Sequence, residues 1–149
     1  MKAYALIALG HKEEAIAIAA EAERTAPMQW LKSYALSHRA LLQGDRKASL
    51  EAFNSFLARP NPFMLDPEGR FWIARDLSGL YDVERALNFL TSSLEGNYGC
   101  RYALIHDEGF YALRSHPAFN QLLDRAAILN AEARKVFFDN GGGQLLGLT

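Results

Sequence analysis

Ala3-Tyr4-Ala5-Leu6-Ile7-Ala8-Leu9-Gly10 and Ser37-His38-Arg39-Ala40-Leu41-Leu42-Gln43-Gly44 decide the fold, because they are one pattern written twice, 34 residues apart. Seven residues before each glycine stands a small side chain, Ala3 or Ser37, and four before stands Leu6 or Ala40. Five after comes Ala15 or Ser49, and 17 after comes Pro27 or Asn61, the latter between Pro60 and Pro62. A third copy fits the frame with Tyr81 in the glycine slot and Ala74, Leu77 and Ala86 at the matching positions. Its offset from Gly44 is 37, which places three extra residues in the connection Pro60–Gly69.

A fixed period of about 34 residues is how stacked helical hairpins show themselves in sequence. Small side chains let two antiparallel helices cross closely. A glycine between them supplies the left-handed backbone that ends the first helix. Proline after the second helix stops it. One hairpin cannot bury its apolar face alone, so neighbouring pairs stack.

Composition narrows the class. The 149 residues suffice for one domain with a core. Half are apolar, 22% are charged and the formal net charge is −1. No basic excess points to nucleic acid. A single cysteine, Cys100, leaves no internal disulfide. No run of 18 apolar residues suggests a membrane span. Lys2 with Ala3–Leu9 has the outline of a short signal peptide, but His11-Lys12-Glu13-Glu14 follows at once and the apolar residues already fit the repeat. The expected location is the cytoplasm.

The chain reads as helix throughout. Expected elements are Lys2–Leu9, His11–Thr25, Met28–Gln43, Arg46–Ala58, Glu68–Leu80 and Asp82–Leu94, with Asp82 as an N-cap. Beyond Glu95 the rhythm changes. One or two turns are expected at Arg101–Ile105 and a short helix capped by Asp107 at Asp107–Leu113. A long helix Pro117–Asp139 follows, closed by Asn140-Gly141-Gly142-Gly143, with a tail expected to be mobile or lightly docked.

Residues 1–96 resemble tetratricopeptide repeats (TPRs), carried by Ala3, Leu6, Gly10, Ala15 and Pro27, then Leu36, Gly44 and Phe53, then Ala74, Leu77, Ala86 and Leu90. Ser33 departs from the aromatic that the motif favours, and Tyr81 departs from the turn glycine. Asp107, Phe110, Leu113, Arg114, His116-Pro117, Phe119 and Leu122-Leu123 resemble the closing segment of repeat regions in bacterial signalling proteins. The resemblance implies an all-α, right-handed superhelix of helical hairpins with a helical C-terminal cap. Its repeats would span residues 1–27, 28–61 and 66–96, its cap 97–140 and its tail 141–149, within one domain.

Such repeats bind peptides in the concave groove lined by the first helix of each pair. On this frame Tyr4, His38 and Arg75 form one column, and Tyr34 and Phe71 another. Together they suit a peptide with an apolar anchor and an acidic group. The competing reading packs Tyr34 and Phe71 between repeats and leaves Arg75 as a solvated charge. Further chemistry is sparse. His106 and His116 flank Asp107-Glu108, but a spacing of ten fits no compact metal motif. The glycine run lacks the lysine and the strand-to-helix setting of a phosphate loop. Adjacent acids such as Glu13-Glu14 point apart on a helix.

The expectation is therefore a non-enzymatic interaction module with no cofactor and no metal, whose partner is a protein or peptide. The alternative is a regulatory or dimerising C-terminal appendage of a larger signalling protein, a kinase, cyclase or transcription regulator. The first repeat starts in mid-helix, and Ala5, Leu6 and Leu9 would then meet preceding sequence or a second copy of the chain.

Overall fold

The computed structural model describes residues 2–147, without the side chains of Tyr4 and Ala8. The described residues are helical, with no strand among them. In chain order the helices are α1 (Lys2–Ala8), α2 (Lys12–Thr25), α3 (Gln29–Leu42), α4 (Arg46–Leu57), α5 (Pro67–Gly79), α6 (Val83–Glu95), α7 (Arg101–His106), α8 (Pro117–Asp139) and α9 (Gly142–Leu145). Short 3-10 segments occupy Pro62–Met64 and Glu108–Leu113.

The slots predicted to end the first helix of each pair do so by one device. Gly10 and Gly44 hold φ values of 81° and 87°, and Tyr81 takes 57° in the third slot. At each, the slot residue donates to the carbonyl three back, and the next residue donates to the carbonyl five back. The acceptor pairs are Ile7 and Leu6, then Leu41 and Ala40, then Ser78 and Leu77. This double closure satisfies carbonyls that a helix end leaves open. Asn97, at φ 61°, repeats it after α6. Asp45 and Asp82 then start the partner helices, accepting from Ala48 N and Arg85 N.

The chain divides into two compact units, Met1–Asn61 and Pro62–Thr149. In the first, α1 packs on α2, α2 on α3 and α3 on α4. Ala15 and Ala19 of α2, and Ser33, Ala35, Ser37 and Ala40 of α3, are buried. The small residues expected at the α3–α4 crossing meet there. Ser49 Oγ donates to Ser37 O at 2.8 Å and lies 3.1 Å from Ser37 Oγ. Phe53 and Phe56 of α4 are fully buried and supply much of the apolar area. Asn61 closes the unit, its Nδ2 donating to Arg59 O at 2.9 Å and Phe56 O at 3.3 Å.

In the second unit α5 packs on α6, and α6 on α8. Phe71, Ile73, Ala74 and Leu77 of α5 are buried, as are Ala86, Leu90 and Leu94 of α6. Arg70 ties the unit's start to α6, donating from Nε to Met64 O at 2.9 Å and from Nη1 to Ser92 Oγ at 3.0 Å. Pro117 opens α8 as expected, and His116 Nδ1 accepts from Ala118 N at 3.3 Å, so this histidine is a helix cap. The glycine run differs in part from its reading. Asn140 ends α8, but Gly142 and Gly143 begin a further short helix, with Gly142 packed so closely on the Phe137 ring that a Cβ would collide.

Candidate functional site

The residues read as a groove lie in both units. Tyr4 sits on α1, and its side chain is outside the described set. Tyr34 and His38 share a face of α3, their rings edge to face at 4.5 Å. Both are half-buried. Tyr34 also meets Phe56 at 4.9 Å and Phe53 at 6.2 Å, so this face is anchored on α4 aromatics.

Phe71 and Arg75 of α5 are covered by the chain's own downstream segment. Phe71 is 1% exposed, with Phe110 at 5.1 Å, Tyr98 at 5.5 Å and Trp72 at 5.9 Å. Arg75 Nε donates to Asp107 Oδ2 at 2.7 Å, and Gly109 lies close against the Arg75 side chain. The 3-10 segment thus brings an acidic group and an apolar anchor, Asp107 and Phe110, onto these two residues. Arg114 Nη2 donates to Asp107 O at 3.0 Å and holds the segment from its other end.

An open cleft of about 490 Å³ lies in the first unit, between α2 and α3. It uses the α3 face opposite in register to Tyr34 and His38. Gln29, Lys32, Leu36 and Arg39 line it from α3, and Glu23 and Arg24 from α2. Spacings of three, four and three residues place the α3 set on one helical stripe. Arg39 Nε donates to Glu23 Oε2 at 2.8 Å, and its Nη1 to Gln43 Oε1 at 3.3 Å. Arg24 is clamped by Glu21, with Nη2 to Oε1 at 2.7 Å and Nε to Oε2 at 3.0 Å. That hydrogen bonding holds the Glu21 carboxyl below its ordinary value and Arg24 above its own. Lys32 forms no ion pair among the described residues. At the head of α3, the N-cap Met28 offers no side-chain acceptor to the first-turn N–H groups.

Sequence reasoning missed this cleft, although its signal was present. Lys32 and Arg39 stand seven residues apart, two helical turns, with Leu36 between them. Chemically the site offers fixed positive charge over an aliphatic floor, which is equipment for holding an anion beside an apolar group. Elsewhere, the His106 and Tyr102 rings meet tilted, 4.4 Å apart, and Cys100 is an exposed free thiol. Among the described residues no group of three or more His, Cys, Asp or Glu is placed to hold a metal ion. No helix of the described chain is long and apolar enough to cross a membrane.

Compared with known family models, curated proteins and solved structures, the chain matches none.

Proposed function

We propose that this chain is a non-enzymatic protein-interaction module of tetratricopeptide-repeat type, a right-handed array of helical hairpins with a helical cap, which holds a peptide segment of a partner protein. The observation that carries this reading is the open, charge-lined cleft between α2 and α3. Support for the repeat comes from the identical turn closure at Gly10, Gly44 and Tyr81. Tyr34 and His38 offer a second half-buried aromatic face on the same helix, and Tyr4 belongs to the equivalent helix of the first pair. Phe71 and Arg75 take part only if the segment Glu108–Leu113 leaves them. The cytoplasm remains the proposed location.

Panning a random peptide display library against the purified chain tests the proposal. Enrichment of a shared motif, lost when cleft residues are reversed in charge, is the expected result. Selection of no motif over repeated rounds overturns it.

A second reading, a regulatory or dimerising appendage of a larger signalling protein, is favoured by α1. Leu9 is 71% exposed and Ile7 39%. Apolar side chains in such a row suit a covering surface, a neighbouring domain or a second copy. A light-scattering mass of a dimer that reverts to a monomer with Leu9→Glu supports it; a monomeric wild-type chain counts against the second copy.

A further inference from the structure

We infer that the α2–α3 cleft selects an acidic peptide segment of a partner protein, with two carboxylates flanking an aliphatic side chain. This deepens the interaction-module reading and rests on it.

The charge balance of the cleft gives the sign. Its lining holds three cations, Arg24, Lys32 and Arg39, against one carboxylate, Glu23. Glu23 is engaged by Arg39 Nε, and Arg24 by Glu21. Lys32 is the cleft cation that forms no ion pair among the described residues. A lysine ammonium beside a partly sheltered wall gains most from a ligand carboxylate, because the ion pair is screened less there than on open surface. The uncapped head of α3 lies one turn from Lys32 and adds partial positive charge on the same side.

The spacing gives the shape. Lys32 and Arg39 are separated by seven residues, a rise of about 10 Å along α3. A peptide in the polyproline II conformation advances about 3.1 Å per residue with three residues per turn, so carboxylates three residues apart face the same way and span about 9 Å, close to that separation. Leu36 sits between the two cations and faces the same cleft, where an aliphatic ligand side chain would rest. Arg39 can keep its Nε bond to Glu23, since its Nη2 makes no hydrogen bond among the described residues and is available to the ligand.

Fluorescence anisotropy with a short fluorescein-labelled peptide carrying Asp-Leu-Ala-Asp tests the assignment. The controls are the same peptide with Asn for Asp and a labelled single-stranded DNA of equal charge. The acidic peptide is expected to bind, to weaken as salt rises, and to lose at least about tenfold in affinity with Lys32→Glu but little with Lys32→Arg. Because Lys32 makes no ion pair among the described residues, the unfolding midpoint of the variant should stay close to that of the parent chain, which separates lost binding from lost fold. Equal binding by Lys32→Glu, equal binding of the Asn peptide, DNA binding as tight as that of the acidic peptide, or no binding of the acidic peptide each overturns the inference. A neutral motif enriched by display would leave the interaction-module reading standing while removing this one; no motif at all removes both.

Discussion

Arg75 Nε donates to Asp107 Oδ2 at 2.7 Å, joining α5 to a 3-10 segment 32 residues further along the chain. The two side chains are 16% and 24% exposed, so water screens the pair only in part. Asp107 does more, since its Oδ1 also accepts from Gly109 N at 2.8 Å and caps the segment. Asp107→Ala is expected to destabilise the protein by about 2 kcal/mol, the combined scale of one charge-assisted hydrogen bond and one lost cap. Urea unfolding of the variant measures this, and a change under about 0.5 kcal/mol, the range of an ordinary surface substitution, would show the contact to be incidental.

Tyr81 holds the left-handed backbone that Gly10 and Gly44 hold in the other two turns, and it is 61% exposed. A side chain with a Cβ pays about 1–2 kcal/mol for that conformation, while glycine adds back-bone freedom to the unfolded chain. Tyr81→Gly is therefore expected to raise stability by about 1 kcal/mol. Thermal unfolding checks it, and a lowered midpoint would mean that the tyrosine ring contributes more than its backbone costs.

The buried hydroxyls of Ser37 and Ser49 stabilise the α3–α4 crossing as a pair. Ser49→Ala leaves the Ser37 hydroxyl without its side-chain partner and removes the donor to Ser37 O, at about 1 kcal/mol, whereas Ser37→Ala leaves Ser49 Oγ still donating to that carbonyl and should cost less. The double Ser37→Ala, Ser49→Ala should cost less than the sum of the two single changes. A double-mutant cycle reads the coupling directly. Additive single effects would refute the pairing.

Burial, followed by the nearby Glu68 carboxylate, raises the Tyr98 phenol above its ordinary value of 10.0. The folded state thus keeps its proton to higher pH than the unfolded chain. The associated stability is complete below the unfolded value and is lost as pH rises through the folded one. Alkaline unfolding should steepen above about pH 10, and Tyr98→Phe should remove that part of the decline. Difference ultraviolet titration of the two proteins gives the phenol's own curve; ionisation at the ordinary value would contradict the account.

Helix ends were the most legible part of this chain. Glycine at a fixed period, Asp82 and Asp107 as caps, and Pro117 at a first turn each act through local backbone chemistry that one residue type reveals. Placing Tyr81 in the glycine slot worked because the frame, not the residue, demanded positive φ. The candidate site was harder to read. Phe71 and Arg75 lie on a stripe of α5 whose periodicity says that something covers it, without saying what. The cover is Asp107 and Phe110, which come from beyond α7. The 3-10 segment Pro62–Met64 was also hidden, inside a proline-rich connection whose residues favour turns in general. Lys32 and Arg39 are, in sequence, two charges on an amphipathic helix with nothing to mark them off from a solvated face. Which face of α3 stays open depends on how α2 packs, and that is a tertiary outcome.

In the proposed function α3 presents the binding face, in the cleft it forms with α2. The direct measurement is nuclear magnetic resonance on the isotope-labelled chain, following backbone amides as the Asp-Leu-Ala-Asp peptide is titrated in. Shift changes concentrated at Ala20, Glu23, Lys32, Leu36 and Arg39 are the predicted result. Shifts gathered elsewhere on the chain, with these amides still, would contradict it.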